Sequence, residues 1–346
     1  MDYFGGGHGS GGSMTPAAEV TGQVTGLAAG DFSAVADSFS NAGFTVRLPA
    51  RGILQISAAE QPGQRMCLLL SAGIHGDETA PVEILEQLLR KLAVNPHILG
   101  VDLLVVIGHP AAIALGRRYV EFDLNRMFVS DSGEPVRGAP PDAETQRAAV
   151  IMRATHEFFA KANAGRWHLD LHTAIRASHF PTFAIVPDLG SAEARRELID
   201  WLGDAGIGAV VLNTKPSGTF SAWTAAQFGA LSCTAELGRI APLGKNDLSK
   251  FAVTQTALQA LLTGGAVPKG RRPQHFVVAQ EIIKASDGFY LLVTRDATNF
   301  MPMGEGDPIA EDGDHVWEVR AETEFLLFAN QDVAIGQRAA LMVVPV

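Results

Sequence analysis

Met66-Cys-Leu-Leu-Leu-Ser-Ala72, Gly73-Ile-His-Gly-Asp-Glu78 and Pro81-Val-Glu-Ile-Leu-Glu-Gln-Leu-Leu-Arg90 follow one another almost without interruption. The first run is apolar and strand-like. The last begins a stretch in which Val82, Leu85, Leu88, Leu89 and Leu92 recur at helical spacing, with Thr79 as a candidate cap and Pro81 in the first turn. A buried strand, a tight turn and a helix form the unit from which α/β sheets are built. Gly73 and Gly76 suit the turn. That turn carries His75 and Glu78, an imidazole and a carboxylate three residues apart that can reach one metal ion. These are ligand types of a catalytic zinc site, which takes three protein ligands and keeps a position for water. Alone, a His-x-x-Glu pair more often caps a helix or sits on the surface, so the reading depends on the rest of the chain.

Outward from this unit the alternation continues. Before it, Phe44–Arg47 and Ile53–Ser57 read as short strands around a Pro49–Gly52 turn. After it, strands are expected at Val101–Gly108, Arg166–His172, Phe183–Pro187, Ala209–Leu212 and Leu231–Leu237. Helices are expected at Ala143–Asn163 and Ala192–Leu202, with another capped by Asn246 and running to Leu262. The fold class is therefore α/β: a mostly parallel or mixed sheet flanked by helices. The pattern stops at Gly264-Gly-Ala-Val-Pro-Lys-Gly-Arg-Arg-Pro273, a linker by composition. Beyond it the runs are β-type: Phe276–Ile283, Phe289–Val293, Phe325–Phe328 and Ala340–Val344. The expected organisation is a flexible Gly-rich tail over 1–15, an α/β domain carrying the candidate zinc site over 16–265 and a smaller β-rich domain over 274–346. His8, within the tail, is not read as a ligand.

Bulk properties narrow the function classes. With 346 residues the chain can bury a large core or form two domains. A formal net charge of -10 and the absence of a basic stripe argue against nucleic-acid binding. No apolar run approaches the roughly 18 residues that suggest a membrane span, and no signal core opens the chain, so a cytoplasmic protein is the expectation. Cys67 and Cys233, the two cysteines, read as small core residues.

The third ligand comes from Arg166-Trp-His-Leu-Asp-Leu-His172, which alternates strictly. His168, Asp170 and His172 share one face. His172, expected at the carboxyl end of its strand, where ligands of open α/β sheets gather, is the candidate ligand. Asp170 can orient a neighbouring group, and His168, deeper in the sheet, is read as structural. Glu236, in Thr234-Ala-Glu-Leu-Gly238, is the candidate base for a water activated by zinc. Asn125 and Arg126, in Asp123-Leu-Asn-Arg-Met127, can clamp a substrate carboxylate. One of Arg117 and Arg118 can polarise a carbonyl. Arg176 is read evenly as a second carboxylate partner or a structural ion pair. Asp77, Thr173, His109, His156 and His179 are read as structural or solvent-facing.

Four ordered runs, Ser71–Glu83, Asp123–Phe128, Trp167–Arg176 and Thr234–Gly238, resemble the succinylglutamate desuccinylase/aspartoacylase family, and the likeness extends through Gly218-Thr-Phe220 and Asn299-Phe-Met-Pro302 to cover roughly 46–346. That family is similar in fold to the zinc carboxypeptidases. The resemblance implies one zinc per subunit on His75, Glu78 and His172, with Glu236 as catalytic carboxylate, Arg118 near the carbonyl and Asn125-Arg126 on a substrate carboxylate. It also implies hydrolysis of N2-succinyl-L-glutamate in arginine breakdown. Aspartoacylases use tyrosines near the substrate. This chain has only Tyr3, Tyr119 and Tyr290, and Asn299 stands about where their C-terminal tyrosine would be. The alternatives are another N-acyl amino acid such as N-acetylaspartate, peptide cleavage, or a non-catalytic zinc-dependent binding protein.

Overall fold

The computed structural model describes residues 26–59, 64–129, 142–215 and 218–346. The expected tail and His8 lie outside them. The strands are β1 (Thr45–Ala50), β2 (Ile53–Ser57), β3 (Cys67–Ala72), β4 (Asp102–Ile107), β5 (Arg166–Ala174), β6 (Thr182–Pro187), β7 (Ala209–Asn213) and β8 (Leu231–Arg239). They continue through β9 (Gln274–Ile283), β10 (Tyr290–Leu291), β11 (Met301–Gly304), β12 (Pro308–Asp312), β13 (His315–Glu318), β14 (Thr323–Leu327) and β15 (Arg338–Pro345). One sheet runs β1-β2-β4-β3-β5-β8-β6-β7-β9-β15-β14-β11, and a smaller one β10-β12-β13. The fold is mixed α/β with a β-rich C-terminal part.

The parallel strands β4, β3, β5 and β8 occupy the middle of the large sheet. β3 and β4 are buried at every position, as strands covered on both faces must be. Alternation sorts the two faces. Leu68 and Leu70 of β3 pack with Leu85, Leu89 and Leu92 of the helix Ala80–Val94 and with Leu198 and Leu258 of two later helices. Leu69 faces the other way, into a core with Ile151, Phe159 and Trp223 from the helices Ala143–Phe159 and Phe220–Phe228. This three-layer packing fixes the register in which His172 of β5 lies opposite Glu236 of β8. Neither residue ends its strand, since β5 continues to Ala174 and β8 to Arg239.

Several local expectations need correction. Thr79 precedes the helix but does not cap it: its hydroxyl donates to the Ala241 carbonyl at 2.8 Å. Asn246 caps nothing, because its amide donates to Glu83 and Thr79 across the fold. The helix it was expected to open starts instead at Ala252. The long helix ends at Phe159 rather than Asn163, and the run Phe289–Val293 yields only Tyr290–Leu291 as strand. The segment 265–273 is irregular, as its composition suggests, and after it β9 pairs in parallel with β7, Leu212 opposite Val277, and extends the large sheet. Phe276, Leu341 and Val343 then share a core with Phe183 and Val211.

Candidate metal centre and substrate site

The turn after β3 is held by close backbone approach. A Cβ on Gly76 would stand 2.2 Å from the Ala112 carbonyl carbon, so only glycine fits there. Its N–H donates to the Arg118 carbonyl at 3.0 Å, tying the Arg118 segment to the His75–Glu78 turn. Gly73 enters the turn at φ 63, in the left-handed region that favours glycine.

His75, Glu78 and His172 converge, all buried, with one potential ligand atom from each within 4.8 Å of the others. His75 Nδ1 lies 3.2 Å from His172 Nδ1. The two oxygens of Glu78 sit between the rings, 2.7 Å from His75 Nδ1 and 2.8 Å from His172 Nδ1. The far nitrogen of each ring meets an aspartate: His75 Nε2 lies 3.0 Å from Asp123 Oδ1, and His172 Nε2 lies 3.0 Å from Asp170 Oδ2. With each Nε2 on an aspartate, both Nδ1 atoms are turned toward Glu78 and toward each other; in the neutral Nε2–H tautomer their lone pairs converge on one point. A cation at that point accepts both. Zinc–nitrogen bonds of about 2.0–2.1 Å in a tetrahedron put ligand atoms roughly 3.3 Å apart, close to the separation of the two Nδ1 atoms. Aspartates behind ligand histidines fix ring orientation and raise basicity. The group can therefore hold a metal ion.

The surrounding charges are arranged to match. Although burial opposes it, His75, Arg126 and Arg118 hold the Asp123 carboxyl well below the usual carboxylate range. Glu78 is likewise held low, against burial, by the two imidazoles. Arg118 Nη1 donates to Glu78 Oε1 at 2.9 Å, and its Nη2 lies 3.7 Å from Asp123 Oδ2. Glu236 differs. Burial, and then the negative charge of Glu78, push it up to about 7, and its Oε2 is buried with no hydrogen-bond partner among the described residues.

Asn125 is buried, and its Oδ1 accepts the Phe220 N–H at 2.9 Å at the start of the helix Phe220–Phe228. Arg126 Nη1 donates to the Asn125 carbonyl at 2.9 Å, and its guanidinium forms no ion pair with a carboxylate among the described residues. Arg176 is engaged elsewhere. It donates to the carbonyls of Ala329, Arg295 and Ala297 at 2.5, 2.7 and 3.0 Å, fastening β5 to the C-terminal part. Of the two roles read for Arg176, these bonds to backbone carbonyls favour the structural one. Arg117 is exposed.

Among the other residues read from sequence, His168 is buried between Ser71 Oγ at 2.8 Å and Thr224 Oγ1 at 2.7 Å. His109 pairs with buried Glu144 at 3.0 Å, a partner 35 residues away. The Thr173 N–H donates to Glu78 Oε2 at 3.1 Å. Two contributors were not foreseen. Asp123 backs His75, and the Ser71 hydroxyl donates to Asp170 Oδ1 at 2.6 Å. Both lie within the motif runs, and only three-dimensional proximity reveals what they touch. Burial pushes the Cys67 thiol up to about 12 and raises that of Cys233, as core cysteines require.

Comparison with known proteins adds the family. Residues 64–262 match the succinylglutamate desuccinylase/aspartoacylase catalytic domain, and residues 271–346 match the AstE/AspA barrel-sandwich hybrid domain. The chain belongs to the succinylglutamate desuccinylase/aspartoacylase family. It is 42% identical over 296 residues to a succinylglutamate desuccinylase of Burkholderia pseudomallei strain 1710b, covering 85% of this chain and 84% of that protein. It is 44% identical over 295 residues to one from Burkholderia cenocepacia, with 83% and 84% covered. The crystal structure of a succinylglutamate desuccinylase from Vibrio cholerae superposes with a TM-score of 0.80 at 32% identity, covering 90% of this chain and 94% of that one. No described helix is long and apolar enough to cross a membrane. As a member of this family, the chain is a hydrolase acting on an amide bond.

Proposed function

We propose that this protein hydrolyses N2-succinyl-L-glutamate to succinate and L-glutamate, a step of arginine breakdown, in the cytoplasm. One zinc ion per subunit would be held by His75, Glu78 and His172. The observation that carries the reading is the pair of Nδ1 atoms 3.2 Å apart, both turned toward Glu78 and each ring backed by an aspartate, beside an unpaired Glu236 raised to about 7. When bound, zinc supplies Lewis acidity that acidifies water and polarises the amide carbonyl.

The chain's own residues do the rest. Glu236 Oε2 takes a proton from the attacking water. A carboxyl poised near neutrality suits that task and the return of the proton to nitrogen. The water oxygen bonds to the succinyl carbonyl carbon, the C–N bond breaks, and Glu236 delivers the proton to the departing glutamate amine. Arg118, anchored on Glu78, faces the negative charge that develops on the carbonyl oxygen. Asn125 and Arg126 orient a substrate carboxylate, which lets an acidic protein accept an acidic ligand.

Side-by-side assays of succinylglutamate, acetylaspartate and a short peptide, with metal analysis and chelator treatment, test this. The expected result is zinc at one per subunit and preferred turnover of succinylglutamate. Preferred turnover of acetylaspartate or peptide would redirect the substrate. Absence of zinc with activity indifferent to chelator would defeat the reading.

A further inference from the structure

Arg338 opens β15, in register with Ile283 at the end of β9. It is half-buried, and among the described residues its guanidinium makes no hydrogen bond and no ion pair. It lies instead over the Phe328 ring, Cζ 5.9 Å from the centroid. Phe328 is held at φ 52, a backbone conformation bulky residues seldom adopt. Its N–H is fixed to Asn299 Oδ1 at 2.8 Å and its ring packs 5.6 Å from that of Phe183. An aromatic face locked in this way is a platform for a cation.

The neighbouring charges do not satisfy Arg338. Glu281 lies within electrostatic reach, but it pairs with Lys215 Nζ at 3.4 Å. Asp123 is engaged with His75 at 3.0 Å. The remaining neighbour is another cation, Arg126, itself without an ion pair. Burial first, then the positive charge of Arg126, lower the Arg338 guanidinium to about 10. Two arginines, one from the substrate loop and one from the C-terminal part, lie within electrostatic reach of each other and of Asp123, and neither forms an ion pair among the described residues.

We propose that Arg338 is a specificity-determining residue that joins Arg126 in gripping one terminal carboxylate of the substrate. This rests on the succinylglutamate reading above, whose substrate has three carboxylates and a requirement for local positive charge. It gives the C-terminal part a direct role in substrate choice.

The test uses the full chain loaded with zinc, the variants Arg338→Met and Arg338→Lys, and three substrates. These are N2-succinyl-L-glutamate, N2-butanoyl-L-glutamate, which lacks the acyl carboxylate, and N2-succinyl-L-norvaline, which lacks the side-chain carboxylate. Loss of a guanidinium–carboxylate pair is worth about 10–100-fold. For Arg338→Met, KM for succinylglutamate is expected to rise by about that factor with kcat little changed. With one truncated substrate, wild type and variant should have matching KM, which identifies the carboxylate held. Arg338→Lys should recover part of the loss. Stabilisation of wild type against thermal unfolding by succinate or by L-glutamate should weaken in Arg338→Met. An unchanged KM, or an equal rise for all three substrates, overturns the proposal, the second marking Arg338 as structural. If wild type turns over none of the three, the succinylglutamate reading fails. The thermal comparison with succinate and L-glutamate then decides for or against an anion grip on its own.

Discussion

Around His75 and His172 each ring nitrogen has a partner; around Glu236, Arg126 and Arg338 the charged groups are left largely without one. In the first region both Nε2 atoms sit on aspartates, both Nδ1 atoms face Glu78, and Glu78 also receives Arg118 and the Thr173 N–H. In the second, Glu236 Oε2 is buried without a partner and two guanidiniums form no ion pair among the described residues. The first region spends its bonding on fixing a geometry before any ligand arrives. The second keeps its bonding capacity for what arrives, at the cost of buried groups left unsatisfied. An active site needs both: rigid ligands for a cation, and charged groups completed only by the reacting molecule.

The sharpest way to break this contrast is Glu236→Gln. The change removes the proton carrier and leaves all three candidate ligands in place. Turnover should fall by about 10²–10⁴-fold, while zinc content, read by elemental analysis, stays at one per subunit. Loss of zinc along with activity would place Glu236 in the paired region instead.

The next effect separates two histidines of one strand face. His168, buried between Ser71 and Thr224, is lowered by burial from 6.5 to about 4, whereas Asp170 and Glu78 hold His172 up against burial. For His168 the unfolded chain binds more protons between these two values. Its contribution is therefore complete above pH 6.5 and is lost as pH falls through 4. The full effect is about 3 kcal/mol from a shift of this size. Denaturant melts of zinc-loaded wild type and His168→Gln across that window should show the extra acid loss in wild type alone. Parallel curves would mean that His168 does not fold in its neutral form.

Asp170→Asn probes the paired region directly. It keeps the shape and weakens the carboxylate's hold on His172 Nε2. Zinc affinity, measured by competition with a chelator, should drop about 10–100-fold. An unchanged affinity would make the aspartate a core residue with no share in the metal centre.

Much of this was legible in the sequence because the chemistry lies on local patterns. The apolar run before His75 could only be a buried strand, and alternation in 166–172 placed His168, Asp170 and His172 on one face. What stayed hidden depends on contacts between distant segments. Thr79 and Asn246 look like caps, but a neighbouring loop and Glu83 claim their side chains. The glycine- and proline-rich run after residue 263 reads as a boundary, and the pairing of β9 with β7 beyond it is a backbone contact that composition does not encode. Asp123 carries no mark of the imidazole it will meet. The arginines show this most plainly: nothing local tells which will meet carbonyls and which will stay free.

Arg176 and Arg338 settle that last point by contrast. Arg176 stands four residues past His172 and looks like a substrate residue, but it donates to the carbonyls of Ala329, Arg295 and Ala297. Arg338 is far from every motif and yet is left without an ion pair beside Arg126. Arg176→Met should therefore act on folding. It strands carbonyls that bind a charged donor, but the guanidinium is partly exposed and water can replace some of the loss, so the cost is about 1–2 kcal/mol. Denaturant melts should show that decrease while KM for succinylglutamate stays within about twofold of wild type, since only a lost substrate contact raises KM selectively. A tenfold rise in KM with unchanged stability would return Arg176 to the substrate and erase the division between the arginine that fastens the fold and the pair that waits for the anion.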